Sequence, residues 1–324
     1  MSAQAAHDPA ASVAATPRDP GFAAGKKKST KKGPGAGGPR RMVGMSVWSR
    51  TWVRVAVVMI AALWSLPTVG LLISSFRSAN DIRSTGWWTT ILHPFETTWT
   101  MVNYTDVLGS AGMLDAFVNS LIVTIPATVL PITLAAFAAY AFAWIEFPGR
   151  SIMFAVVVGL LVVPLQMTLV PLLQAYNTLG LTGTYLGTWL AHAAFGLPLA
   201  IYLLYNYISQ LPKELMESSF IDGASHFTAF TRLVLPLSMP ALAAFAIFQF
   251  LWVWNDLLIA LVFLGTDSEV AVLTARLNEL VGSRGQDWHL LTAGAFITMG
   301  VPVIVFLSLQ RYFVRGLLAG SVKG

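Results

Sequence analysis

Polar and apolar residues alternate in long blocks along this chain. Six apolar segments, near residues 55–76, 116–144, 152–175, 185–208, 239–264 and 290–312, are each long enough to cross a hydrocarbon layer of roughly 30 Å as a helix. The second and third are joined by the short turn Glu146-Phe147-Pro148-Gly149-Arg150. Pro126, Pro131, Pro164, Pro171, Pro198 and Pro302 fall inside these segments. Each removes a backbone donor that neighbouring helices or water must replace. Such prolines read either as ordinary kinks or as pivots that widen a cavity. The first segment is too long for the apolar core of a signal peptide and lacks a small-x-small cleavage site, so it reads as a retained span.

Composition sharpens the pattern into a fold class. Of 324 residues, 56% are hydrophobic and only 11% charged, against about 25% charged in soluble domains. This is an all-α membrane protein with six expected spans. The absence of cysteine excludes disulfides, thiolate zinc sites, iron–sulfur clusters and cysteine nucleophiles.

The net charge of +5 is unevenly placed. Residues 1–50 are rich in Ala, Gly, Pro and Lys and cannot bury enough apolar surface to order themselves. They read as a disordered basic tail ahead of a transmembrane domain at 51–324. The tail sets topology or touches anionic headgroups. Without interleaved aromatics it is no nucleic-acid binder. With the N-terminus inside, sixteen Lys and Arg face the cytosol and four (Arg77, Arg83, Arg276, Arg284) face outward. Both termini are then cytosolic, in a multi-pass protein of the cell membrane.

One cytosolic loop, at about 209–236, breaks the apolar pattern. Pro212 suits the first turn of a helix, and Lys213–Asp222 reads as that helix. Gly223 ends it in the left-handed region. Ser225 caps a second helix, His226–Leu235, which Pro236 stops. Two short helices around a glycine elbow make a body that fits a groove on another protein. Ser218 and Ser219 permit close approach, and Glu217 offers a carboxylate to a partner.

The pattern Glu217-Ser218-Ser219, Gly223, Leu233, Leu235-Pro236 resembles the characteristic loop of ABC importer permease subunits. Here Ser-Ser stands where that family usually has Ala-Ala. Ile221-Asp222-Gly223-Ala224-Ser225, Trp254-Asn255-Asp256 and the ending Gly316–Gly324 resemble the carbohydrate-uptake branch, in particular MalG-like permeases of maltose-type systems. The likeness covers roughly residues 50–324. It implies a type I, MetI-like permease fold and a sugar importer for maltose or an α-glucoside-like oligosaccharide. The chain would form half of the pathway with a second, different permease subunit. Two ATP-binding subunits would dock from the cytosol, and an extracytoplasmic binding protein would deliver the sugar. Docking would fall to Glu217, Ser218, Ser219, Asp222, Gly223, Leu235 and Pro236, and to Gly320 and Lys323 in a C-terminal tail that reaches between the ATPase subunits.

Other residues are open to two readings. Asn255 and Asp256 lie inside the fifth apolar segment, where polar groups line a pathway or lock helices together. Trp254 belongs to the same motif. Gln166, Gln174, Asn177 and Gln249 could offer neutral hydrogen bonds to a sugar. His192 reads as a packed histidine. Trp87, Trp88, Phe95, Trp99 and Tyr104 make the outer loop aromatic, which suits sugar rings and membrane interfaces alike.

Several functions fail on the residues. Gly21–Lys27 has the wrong spacing for a phosphate loop, with Lys27 where Ser or Thr is needed. The chain therefore binds no cofactor of its own; ATP and Mg belong to a partner. There is no Gly-x-Ser-x-Gly elbow and no His-Glu-x-x-His site, so no hydrolase. Asn103-Tyr104-Thr105 is a glycosylation triplet of little weight. The rival is a secondary transporter driven by an ion gradient. It would call for inverted repeats and midplane charges that the sequence does not display. An intramembrane enzyme would need a cluster of His, Asp or Glu at membrane depth, for which Asp256 and His192 alone make a poor case.

Overall fold

The computed structural model of the protein describes residues 47–109, 112–281 and 287–321. By its internal contacts the chain divides after Val58. The first unit contributes the opening turns of α1, and all packing described below belongs to the second. Among the described residues there are helices and no strand.

α1 (Val47–Ser75) is the first span. It starts inside the stretch read as a tail; residues 1–46 of that tail lie outside the described residues. Three short helices follow: α2 (Ala79–Ser84), α3 (Trp87–Leu92) and α4 (Val102–Gly109). α5 (Met113–Trp144) is the second span. The third expected span is a bent pair, α6 (Arg150–Leu160) and α7 (Leu165–Leu179), meeting at 103°. α8 (Tyr185–Ile208) matches the fourth expected span end to end. Thr184 starts it, its side chain accepting from the Gly187 N–H.

α9 (Lys213–Ile221) and α10 (His226–Ala229) build the loop, and a π-helical turn (Phe230–Val234) and α11 (Leu235–Leu237) lead out of it. α12 (Met239–Trp254) begins the fifth span, at 72° to the preceding helical run. After a break at Asn255–Asp256 the chain re-enters a helix that ends in a second π-helical turn, Ala260–Leu264. α13 (Leu273–Val281) and the long α14 (Trp288–Ser321) complete the order.

Among the described residues four helices are long and apolar enough to span, and up to six spans result if each bent pair counts as one. The third expected segment is broken at its 103° bend and the fifth at Asn255–Asp256, so neither is the continuous helix that hydropathy suggests. At the third, Pro164 opens α7 and its missing N–H cannot continue α6.

The core is built on small residues. Ala127, Ala135, Ala136 and Ala139 on α5 are buried, as are Ala191, Ala193, Gly196 and Ala200 on α8. In lipid no hydrophobic force separates helix from solvent, so close backbone approach through small residues drives association. α14 packs on α12, and α13 packs on α14 and α5.

Candidate coupling loop and transport pathway

The loop between α8 and α12 is a folded body held by local chemistry. α9 starts after Pro212, which sits just before the helix rather than in its first turn. It ends at Ile221, and Gly223 follows with φ of +83°. The Gly223 N–H donates to Phe220 O and the Ala224 N–H to Ser219 O, both at 3.0 Å. This double bond pattern is a Schellman cap, and it requires a left-handed residue at Gly223. Ser225 then caps α10, its Oγ accepting from the Thr228 N–H at 3.2 Å.

Pro236 does not stop the second helix. The helical run widens first: the Leu235 N–H donates to Phe230 O, five residues back. A proline ring clashes with the carbonyl four residues earlier, and the wider turn relieves that contact. The helix continues to Leu237, and the bend comes at Ser238.

The loop has two faces. Met216, Ala229, Phe230 and Val234 are buried against Ala135, Ala139 and Tyr140 of α5 and Ala200, Ile201 and Leu204 of α8. Tyr140 Oη and His226 Nδ1 lie 3.0 Å apart, and the His226 ring also meets Phe220 edge-on at 5.0 Å. Leu235 is half-buried in the same cluster. The other face carries Glu217, Ser218, Asp222, Gly223 and Pro236, all exposed. The Ser218 and Ser219 hydroxyls donate to Leu215 O and Met216 O of their own helix. They add little bulk and make no outward demand.

Two residues of the outward face were not among the expected docking positions. Ile221 is 85% exposed and Phe227 67%. Glu217 and Ile221 lie one turn apart on α9, so carboxylate and apolar tip share a face. Apolar residues flanking Asp-Gly in a polar loop are a signal that could have found them.

The residues expected along the pathway divide. Trp254 is buried; its Nε1 donates to Thr298 O at 3.1 Å, and its ring contacts Phe117 and Phe250. Gln249 is fully buried between α5, α8 and α12, with Nε2 donating to Ala127 O at 3.2 Å and no partner at Oε1. Asn255 is exposed and bonds back to Leu251 O. Gln166, Gln174 and Asn177 are exposed on α7. Gly320 falls in the last turn of α14, and Lys323 lies outside the described residues.

Asp256 sits in the break after α12. Its Oδ2 accepts from the Ala260 N–H at 3.1 Å and lies 3.8 Å from His192 Nε2. The Thr274 hydroxyl donates to Asp256 O at 2.6 Å. The carboxylate thus caps a new helix start, and the Thr274 hydroxyl satisfies the Asp256 carbonyl in the break. Around it Ser120, Thr124, His192 and Thr274 line a cavity of about 10 Å³, room for about one water.

A larger cavity of about 400 Å³ opens at the α6–α7 bend. Leu161 and Val163 of the unwound turn line it, with Phe195 and Gly196 of α8 and Gln249 and Trp252 of α12.

This architecture has known counterparts. The family model of the binding-protein-dependent transport system inner membrane component matches residues 114–318. The chain belongs to this family. The chain is 62% identical over 277 residues to the osmoprotective compounds uptake permease protein GgtD of Synechocystis sp., covering 85% of this chain and 93% of that protein. It is 46% identical to the alpha-glucoside transport system permease protein AglG of Rhizobium meliloti, covering 85% and 97%. A subunit of a bacterial alginate ABC transporter, solved in complex with an alginate pentasaccharide-bound periplasmic protein, shares the fold. Its TM-score is 0.59 at 16% identity, over 81% of this chain and 95% of that one. The chain is thus a multi-pass inner membrane transport component of the permease type, and the loop, the bends and the cavity are parts of one such permease.

Proposed function

We propose that this permease forms half of the import pathway for a neutral sugar of α-glucoside type and is driven through its 217–236 loop by a separate ATPase. The observation that carries this reading is the loop's division into two faces. One face is packed into α5 and α8. The other presents Glu217, Ile221, Asp222 and Phe227, exposed among the described residues. A rigid body anchored on two span helices transmits a push or pull to both. ATP binding in two copies of the partner would draw the loop inward and turn the helices as a unit. Gly320 and Lys323 would reach between those copies. A second permease subunit would complete the pathway and an extracytoplasmic binding protein would load it, with both termini in the cytosol.

The cavity at the α6–α7 bend supports the pathway role. Unwound backbone at membrane depth is tolerated where it lines a cavity, and broken helices frame substrate sites in other transporters. Phe195, Trp252 and the fully buried Gln249 line it. AglG is named for alpha-glucosides and GgtD for osmoprotective compounds. A neutral polyhydroxylated solute fits both names.

The test is reconstitution of the chain with the products of its neighbouring genes. An ATPase should co-purify, and α-glucosides with the binding protein should stimulate hydrolysis. Glu217→Lys should abolish that stimulation while membrane insertion stays normal. Failure to recover any ATPase, or full stimulation in the variant, would sink the reading.

A further inference from the structure

The segment between α1 and α5 contains a helix that wears its apolar face outward. In α3 and the residues after it, Trp88, Ile91, Leu92 and Phe95 are 58%, 59%, 70% and 100% exposed. Trp88, Ile91 and Leu92 stand at i, i+3 and i+4 on one face of α3, and Phe95 follows in the turn after it. The opposite face is the one that packs: Thr90 is 2% exposed, and Trp87 is half-buried against α1. No Asp, Glu, Lys or Arg occurs between Arg83 and Glu96.

The depth of this stripe follows from one contact. A Cβ on Gly70 would come within 2.7 Å of Trp87 Nε1, so only glycine lets the indole lie so close to α1. Gly70 is five residues before the end of α1 at Ser75, about 7–8 Å inside that end at a helical rise of about 1.5 Å per residue. The Trp87 indole of α3 therefore lies beside the last turns of a span. The chain on either side of α3 is built to hold it there. The buried Arg77 donates to Asp81 O at 2.9 Å and to Thr85 O at 3.3 Å, and Asn103 donates to Ser75 O and Arg77 O at 2.9 Å each.

We infer that α3 is an interfacial anchor whose Trp88, Ile91 and Leu92 face, with Phe95 of the turn after it, rests in the headgroup–acyl boundary of the leaflet opposite the coupling loop. An uncharged, Trp-bearing stripe at that depth matches what the interface takes up. A docking protein or a sugar ring would have to reach below the end of α1 to meet it. The anchor fixes the depth of α1 and keeps the outer end of the bundle in register with the bilayer surface.

The chain has no cysteine, so Leu92→Cys and Phe95→Cys each carry the only thiol of this subunit. Each would be spin-labelled in the complete transporter in lipid nanodiscs, with partner subunits free of cysteine and Ser84→Cys as the exposed comparison on α2. The collision ratio of oxygen, which partitions into lipid, to a water-soluble nickel chelate should be several-fold higher at 92 and 95 than at 84. Nickel accessibility equal to that at 84 would place the stripe in water and overturn the anchor. Low accessibility to both reagents would mean that a protein covers it, and would overturn it equally. Because both positions are exposed and tested separately, failure of one variant to assemble leaves the other to decide.

Discussion

Replacing Gly223 tests whether the loop acts as a folded body. Its φ is +83°, and a Cβ there meets nothing within 4 Å. The cost of Gly223→Ala is therefore backbone strain alone, about 1–2 kcal/mol. That moves the local folded-to-open equilibrium by about 5–30-fold. Asn tolerates the left-handed region better than Ala, so Gly223→Asn should fall between the two. Gly223→Pro forces φ near −65° and deletes the N–H that donates to Phe220 O, at about 3 kcal/mol or more. Hydrogen exchange at the Ala224 amide should rank glycine slowest, then Asn, then Ala, then Pro. Sugar-stimulated ATPase activity should follow the open population, with a small loss for Asn and near-complete loss for Pro. If Ala exchanges no faster than glycine, the Schellman geometry is wrong. If Pro opens the loop and coupling persists, the loop is not the transmission element.

Two further changes test the surroundings. Tyr140→Phe removes one hydrogen bond to His226 while keeping the ring contact with Phe230, at about 1 kcal/mol. It should lower the ratio of transport to ATP hydrolysis without lowering the yield of assembled complex; a normal ratio would remove Tyr140 from the linkage. Gly196→Ala would put a Cβ 2.5 Å from Gln249 Oε1. The buried amide must shift off Ala127 O, and a loss of about 1–3 kcal/mol should appear as a lowered thermal midpoint in detergent. An unchanged midpoint would show that the α8–α12 contact is looser than the geometry implies.

The parts of this fold legible in the sequence are those set by local rules. The fourth span runs Tyr185–Ile208, as hydropathy places it, because a cap at Thr184 marks its start. Gly223 and Ser225 take the cap roles their types dictate, since a cap involves only a few neighbouring residues. The bend at Leu160–Leu165 was not legible: apolar residues flank it on both sides, and hydropathy carries no direction. Pro164 marks that a helix can stop there, but only packing sets a 103° turn. The break at Asn255–Asp256 was hidden in the same way. Its polar residues stood out, but the capping of a restarted helix depends on Ala260 and Thr274, which no periodicity connects. The tie from Tyr140 to His226 joins residues 86 apart and leaves no mark in the sequence.

The central claim is that the outward face of this loop sits on an ATP-binding subunit. Ile221, 85% exposed beside Gly223, is the place to ask. Ile221→Cys bears the only thiol of the chain and accepts a short photo-crosslinker. In native membranes holding the whole transporter, irradiation should join this chain to an ATP-binding protein, in a yield that changes when ATP is added. Crosslinks to lipid or to other proteins, with none to an ATP-binding subunit, would contradict the account.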